Sequence, residues 1–510
     1  MSRETEETVL SRRNILRAGA ASLGLAAVPM LSTAPAQAAV RWDTLRSGLQ
    51  GDLILPGDAR YDQAKQLEQI QFDAVHPSGV AYCKSSADVS LCLRFAADNG
   101  LPMAVRSGGH SAAGYSTSRG LVVDVSRLNT IAVGSGKVTL GSGAQMVDVT
   151  HALSPGGLAI TGGYCPTVTV GGFLQGGGLG PLTRHIGMAC DTVTSAKVVL
   201  ANGRTVTASA TDHPDLYWAL RGGGGGNFGV VTSYTLTSTP VGTVAAALVN
   251  WPYDQAVEVM NGWSQWLTQA PTTIGSLAEV TLTDPSGTPQ VLVILMGLAG
   301  IDQLNQEAAR LADAVGAPPS AQNAFTLPYE SFAMTAYGCS SSTVAQCHRV
   351  GTGPDAQIAR TAWADSRSRF FTRPIPHDGW SKLLTVYDTD RRSGQERQLR
   401  ATALGGAANQ RGRTDTAYVH RDSLYLLTYL ASIPVGPTDD ESLTIARNWT
   451  DRGFAAMDPY SNHEAYQNYI DPALSHYMAD YYAENAARLV QVKKKYDPNG
   501  LFRFPQAVSA

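Results

Sequence analysis

Lysine is scarce: of 39 basic residues in 510, only 8 are Lys, and 42 acidic residues leave a net charge of −3. No basic excess exists to coat nucleic acid. Cysteine is equally thin, with six in the whole chain. That excludes a disulfide-built scaffold. No C-x-x-C pair and no H-E-x-x-H occur, which argues against zinc and iron–sulfur centres. No repeat of a few dozen residues is evident, and charged residues are 16% against 44% hydrophobic. Disorder and coiled coil are thereby excluded. The longest apolar stretch, Ala18 to Leu31, is 14 residues, short of the ~20 that a membrane-spanning helix needs.

That stretch follows Ser11-Arg12-Arg13-Asn14-Ile15-Leu16 and precedes Ala36-Gln37-Ala38. A twin arginine, a mild apolar run and a small-x-small site form an export signal, read here as residues 1–38. The expectation is a secreted protein, handled in transit by the twin-arginine machinery and without stable membrane insertion.

Glycine is abundant, 51 residues, and it is concentrated. Arg106-Ser107-Gly108-Gly109-His110-Ser111 follows a short strand pattern. Residues 161–180 hold Gly171, Gly172, Gly176, Gly177 and Gly178 around Tyr164-Cys165-Pro166. A third run, residues 220–231, carries five successive glycines before Asn227 and ends at Val231. Glycines let backbone approach a ligand closely, and their N–H groups can cradle a pyrophosphate. Three such loops, each beside a strand, point to one dinucleotide held by several loops. A Rossmann fingerprint fits poorly: Pro181 follows Gly180 where the third glycine belongs, and Asp191 comes too early for the ribose acid.

Residues 80–235 alternate short strands and helices. A helix is predicted from a Ser86 cap to Asn99, with Gly100 as its stop. Strands are predicted at 102–106, 121–125, 138–142, 196–200 and 205–209, the last two joined by a turn at Asn202-Gly203. A short helix is predicted over 145–153. Beyond residue 240 the pattern becomes an antiparallel sheet covered by helices. Strands are predicted at 244–251, 276–282, 291–297 and 399–405, with helices at 253–267 and 301–315. Cys92 sits on an amphipathic face, as a buried apolar residue would. Whether Cys339 and Cys347 pair stays open.

The three glycine stretches, in this order, resemble the flavin-binding domain of the berberine-bridge-enzyme-like FAD oxidases, within the vanillyl-alcohol-oxidase superfamily. The closing Lys495-Tyr-Asp-Pro-Asn-Gly-Leu-Phe-Arg503 resembles that family's final motif. The likeness is greatest to its secreted bacterial branch of sugar and secondary-metabolite oxidases. It implies an α+β, two-lobed FAD-binding fold of the vanillyl-alcohol-oxidase type with an inserted antiparallel-sheet substrate domain covered by helices. The implied parts are a flavin domain at 41–243, a substrate domain at 244–460, and a return to the flavin domain at 461–510. The implied cofactor is FAD, bonded through His110 at the 8α-methyl and Cys165 at C6. Further cofactor contacts are implied for Arg106, Ser107, Gly108, Gly109, Ser111, Gly171, Gly172, Gly176, Gly177, Gly178, Asn227, Val231 and Asn468.

The segment Tyr466-Gln467-Asn468-Tyr469-Ile470-Asp471 resembles the family's substrate-side motif. It implies Tyr469 as the base that takes a hydroxyl proton while hydride passes to flavin N5, with Tyr466 as helper or substitute. Val170 stands where the family's oxygen-using members carry valine, and Thr169 where many members have glycine. Gln398, Arg400 and Thr402 alternate along one strand face; whether that face meets the flavin is not readable from the sequence. The expected reaction is oxidation of a hydroxyl on a small-molecule or carbohydrate substrate, with molecular oxygen reduced to hydrogen peroxide. Alternatives are a dehydrogenase with another acceptor and a drug-binding resistance flavoprotein.

Overall fold

A computed structural model describes residues 40–436 and 438–509. The export signal lies outside the described residues.

Three sheets of four or more strands organise the described residues, beside a two-stranded pairing of Leu158–Ala159 with Thr239–Pro240. In the first, strands Asp52–Ile54, Gly79–Tyr82, Leu121–Asp124 and Met103–Arg106 lie side by side in that order, the last three parallel. Helix Ser86–Asp98 provides the crossover from Gly79–Tyr82 to Met103–Arg106 that parallel strands require. Its cap is Ser85, whose hydroxyl accepts from the Asp88 N–H at 3.2 Å. The predicted cap, Ser86, instead donates its hydroxyl to Thr232 at 3.1 Å.

The second sheet is antiparallel, ordered Ile131–Val133, Lys137–Gly141, Val230–Thr237, Val193–Val199 and Thr205–Ser209. The turn at Asn202-Gly203 joins the last two as expected: Gly203 takes φ +80° and its N–H donates to Leu200 O at 2.8 Å.

The third sheet has seven antiparallel strands. Their order is Ala321–Pro328, Thr243–Trp251, Gln290–Gly297, Ile274–Leu282, Glu396–Ala403, Tyr425–Ile433 and Trp363–Phe371. Helices Ala256–Leu267, Ile301–Val315, His377–Tyr387 and Asp440–Met457 cover one face, burying Trp263, Leu304, Leu311, Trp380 and Trp449. The first of these opens as a 3-10 turn at Tyr253–Gln255. Leu399, Ala401 and Ala403 point into that core. Alternation therefore turns Gln398, Arg400 and Thr402 to the other face, which the sequence left open. The α+β two-lobed architecture with a helix-covered antiparallel sheet matches the expectation.

The tail returns to the second sheet's side of the molecule. The buried Asn227 donates to Gly223 O at 3.0 Å and accepts from the Val508 N–H at 2.9 Å. Lys493, buried and paired with Asp497 at 2.7 Å, donates to Asn227 O at 2.8 Å. Cys339 and Cys347 are joined as a disulfide. Cys83, Cys92 and Cys190 are buried thiols, and the first two lie Sγ to Sγ at 3.9 Å.

Candidate active site

A cavity of about 530 Å³ runs between the glycine loops, the tail and the open face of the seven-stranded sheet. Ser107, Gly108, Gly109, His110, Ser111, Cys165, Gly171, Gly172, Asn227, Val231, Tyr466, Asn468 and Tyr469 all line it. Four residues assigned to the cofactor stand behind its wall. Arg106 is buried in an ion pair with Asp124. Gly176 makes room for the tyrosine segment, since a Cβ there would lie 2.0 Å from Asn468 Oδ1; Gly177 packs against Tyr418, and Gly178 packs against Phe173 while its N–H donates to the Tyr466 hydroxyl at 2.8 Å.

Glycine has a steric purpose here. A Cβ on Gly222, at φ +122°, would lie 2.0 Å from the Tyr418 nitrogen, so the third loop packs directly on another backbone. Gly172 and Gly226 show the opposite arrangement. A Cβ on either meets nothing within 4 Å, so bare backbone faces the open cavity. Thr169 replaces a glycine common in the resembled family, and its hydroxyl is 2.7 Å from Ser107 Oγ, which donates to Ser142 O at 2.6 Å. The substitution is accommodated by a hydrogen bond that fixes the loop before His110. Val170 is fully buried and does not line the cavity.

The lining suits FAD on chemical grounds. Among the described residues no carboxylate lines the cavity, while Arg400 and Arg503 do, so a pyrophosphate would meet no like charge from them. His110 Nε2 lies 2.9 Å from Thr167 Oγ1 and 3.7 Å from Glu68 Oε2. Burial pushes the imidazole pKa down, with Glu68 opposing, and so keeps a neutral, nucleophilic ring at pH 7. Cys165 is exposed to the cavity, unlike the other three free cysteines. Burial raises its thiol and Arg400 opposes that shift.

At the sheet end, Arg400 Nε donates to Glu279 Oε1 at 2.5 Å, its cross-strand neighbour, and its guanidinium lies 5.7 Å from the Tyr164 ring. Tyr466 and Tyr469 stand edge to face, centroids 5.1 Å apart. They differ in what their hydroxyls do. That of Tyr466 is engaged, accepting from Gly178 N–H at 2.8 Å and from Asn468 Nδ2 at 3.0 Å. That of Tyr469 makes no hydrogen bond to the described residues. Burial raises both phenols. At Tyr469 burial outweighs the Arg400 charge, which pulls the other way and so lessens the cost of phenolate there. Glu68, Thr167, Tyr164 and Glu279 were missed by sequence reasoning. Each depends on a strand register or loop crossing that no local pattern announces.

Residues 77–209 match an FAD binding domain, and residues 465–509 match the berberine and berberine-like domain. The chain is an FAD-linked oxidoreductase that carries an FAD binding domain and a berberine-like domain. It is 27% identical over 470 residues to the FAD-linked oxidoreductase YgaK of Bacillus subtilis, covering 91% of this chain and 98% of that one. The xylooligosaccharide oxidase of Thermothelomyces thermophilus is 29% identical over 460 residues, covering 85% of this chain and 87% of the oxidase. Among solved structures, wild-type BBE-like 1 of Physcomitrella patens superposes with a TM-score of 0.81 at 25% identity, covering 92% of this chain and 98% of that one.

Behind the tyrosine segment of this flavin oxidoreductase lies a buried polar cluster. Gln467 Nε2 donates to Gly222 O at 2.6 Å, which turns its Oε1 toward His420 Nε2 at 3.1 Å. His420 Nδ1 lies 2.6 Å from Glu464 Oε2. The ring stacks on Phe370, centroids 4.1 Å apart. Arg413 also pairs with Glu464 at 2.6 Å. The cluster thus ties the third glycine loop to the segment that carries Tyr466 and Tyr469.

Burial works against the Glu464 carboxylate, but His420 and Arg413 hold its pKa down at about 2. The folded value lies below the unfolded one, so this stabilisation is complete above about pH 4.5 and is lost as pH falls toward 2. It is on the order of 3 kcal/mol. Glu464→Gln should therefore flatten the fall of stability across that window. Denaturation midpoints measured at several pH values check this; parallel curves for variant and parent would refute the assignment.

Proposed function

We propose that this oxidoreductase carries FAD on two covalent bonds, through His110 and Cys165, and oxidises a hydroxyl of a sugar, oligosaccharide or hydroxylated secondary metabolite. The observation that carries the reading is that both nucleophiles line one cavity with Tyr469. When bound, FAD supplies a two-electron acceptor for hydride.

The chain's residues supply the rest. Tyr469 takes the hydroxyl proton, Arg400 stabilises the phenolate, and Asn468 holds Tyr466 in place beneath it. Molecular oxygen is the terminal acceptor, giving hydrogen peroxide. An oligosaccharide substrate is supported by the likeness to a xylooligosaccharide oxidase, and export by the twin-arginine signal in residues 1–38.

The test is acid precipitation of the expressed protein, with the flavin spectrum of the washed pellet recorded. The pellet should stay yellow for His110→Ala and for Cys165→Ala and turn pale only in the double variant. Flavin released from the unaltered chain into the supernatant would refute both bonds. Locating the pellet-bound flavin in medium or in cell lysate tests export with the same signal, and peroxide detection over a sugar panel then tests the reaction.

A further inference from the structure

We propose that Glu68 is the proton acceptor that lets His110 form its bond to FAD; this rests on the covalent reading above. His110 presents its two nitrogens differently. Nε2 is directed at Thr167 Oγ1, 2.9 Å away, and at Glu68 Oε2, 3.7 Å away. Nδ1 makes no hydrogen bond to the described residues. With its proton on Nε2, the ring leaves the Nδ1 lone pair free to attack.

Glu68 Oε2 is a buried carboxylate oxygen with no hydrogen-bond partner among the described residues. Such an atom is expensive to leave unsatisfied, and buried polar groups without partners concentrate where chemistry needs them. The segment bearing it is held from both sides. Glu68 N–H donates to Gly109 O at 3.2 Å, next to His110 itself. Arg360 Nε donates to Leu67 O at 2.8 Å while its Nη atoms grip Asp73 at 2.6 and 2.9 Å. Arg106 Nη1 reaches Gln66 O at 3.5 Å. Arg349 stands close enough for its charge to act on both Glu68 and His110. The backbone that bears the carboxylate is thus anchored, and its Oε2 faces the nitrogen that must lose a proton.

The chemistry balances. Nδ1 forms a C–N bond to the flavin 8α carbon as one C–H bond there breaks, and the electron pair of that C–H bond passes into the ring. Alkylation makes the imidazole cationic, and its Nε2 proton goes to Glu68. One C–H and one N–H hydrogen are lost overall, and with two electrons they reduce one molecular oxygen to one hydrogen peroxide per bond formed. Glu68 acts through His110 and is a positioning and proton-accepting residue; it does not touch the substrate.

The experiment uses the full-length chain with Cys165→Ala, so that acid-stable flavin reports the His110 bond alone. Protein made under riboflavin starvation is given FAD in air, and in-gel flavin fluorescence after denaturation is followed with time. Adding Glu68→Gln should slow bond formation at least tenfold while leaving reversible FAD uptake within twofold. Glu68→Asp should recover part of the rate. Bond formation at the parent rate in Glu68→Gln with FAD bound would overturn the proposal. A Cys165→Ala parent that binds FAD yet never becomes fluorescent after denaturation would overturn the His110 bond, and the proposal with it. If Glu68→Gln takes up no FAD, Glu68→Asp decides: slowed bonding with intact uptake supports the role, and an unchanged rate overturns it.

Discussion

Tyr469→Phe should lower the rate of substrate oxidation by about 10²- to 10⁴-fold, the range for loss of a positioned general base. Flavin content and spectrum should be unchanged, because the Tyr469 hydroxyl makes no hydrogen bond to the described residues whose loss would disturb the fold. Tyr466→Phe is the internal comparison. It removes the acceptor for Gly178 N–H and Asn468 Nδ2, so it should loosen the segment and reduce the rate less. Single-turnover bleaching of the flavin by substrate reads the chemical step directly. A larger loss in Tyr466→Phe than in Tyr469→Phe would transfer the role of base to Tyr466. Arg400→Met adds a second signature. Without the guanidinium, the phenol pKa rises, and the acid limb of the pH–rate profile should move to higher pH.

The largest stability effect is expected at Arg184, on the short helix Thr183–Ile186. It is buried, and its guanidinium is satisfied by carbonyl oxygens: Nε donates to Ile274 O at 2.8 Å, Nη2 to Ala270 O and Pro271 O at 3.2 and 3.3 Å, and Nη1 to Leu404 O. Those carbonyls belong to the start of one central strand of the seven-stranded sheet, the end of another and the link that precedes the first. Arg184 thus fastens the glycine-loop region to the sheet that bears Arg400. Burial without a carboxylate partner lowers its pKa to about 10. Arg184→Met fills similar space but leaves these acceptors unpaired, at about 1–3 kcal/mol for each buried group that water cannot reach. A total of about 3–5 kcal/mol is expected, visible as a lower denaturation midpoint for the FAD-loaded protein. Arg184→Lys should recover part of it. A midpoint equal to that of the parent in Arg184→Met would show that the two regions are held without this contact.

Much of this arrangement was legible in the sequence because local chemistry announces it. His110 after two glycines and Cys165 before a proline each need backbone that bends away, and glycine runs mark where that happens. The turn at Asn202-Gly203 and the helix Ile301–Val315 follow from residue type and period. Strand Trp363–Phe371 was not legible, for a physical reason. Its Arg367 and Arg369 read as surface charges, but they are paired with Asp451 and Asp471 and with Asp458 and Asp480 far along the chain. Glu279 likewise gains its meaning only from the register that sets it opposite Arg400. Glu68 is 42 residues before His110 and was unremarkable until the fold brought them together. Periodicity reveals faces, whereas charge pairs across distant segments appear only with coordinates.

The return of the tail has a consequence for how the protein is made. The cavity wall combines residues near 110 with residues near 505, including Phe504 and Gln506, and Val508 closes on Asn227. A ribosome adds about 5–20 residues per second, so roughly 20–80 s separate synthesis of His110 from that of Gln506. Throughout that interval the nascent glycine loops lack one of their walls. Closure of the dinucleotide pocket therefore waits for residues 502–508, and a chain without them would leave that pocket short of a wall.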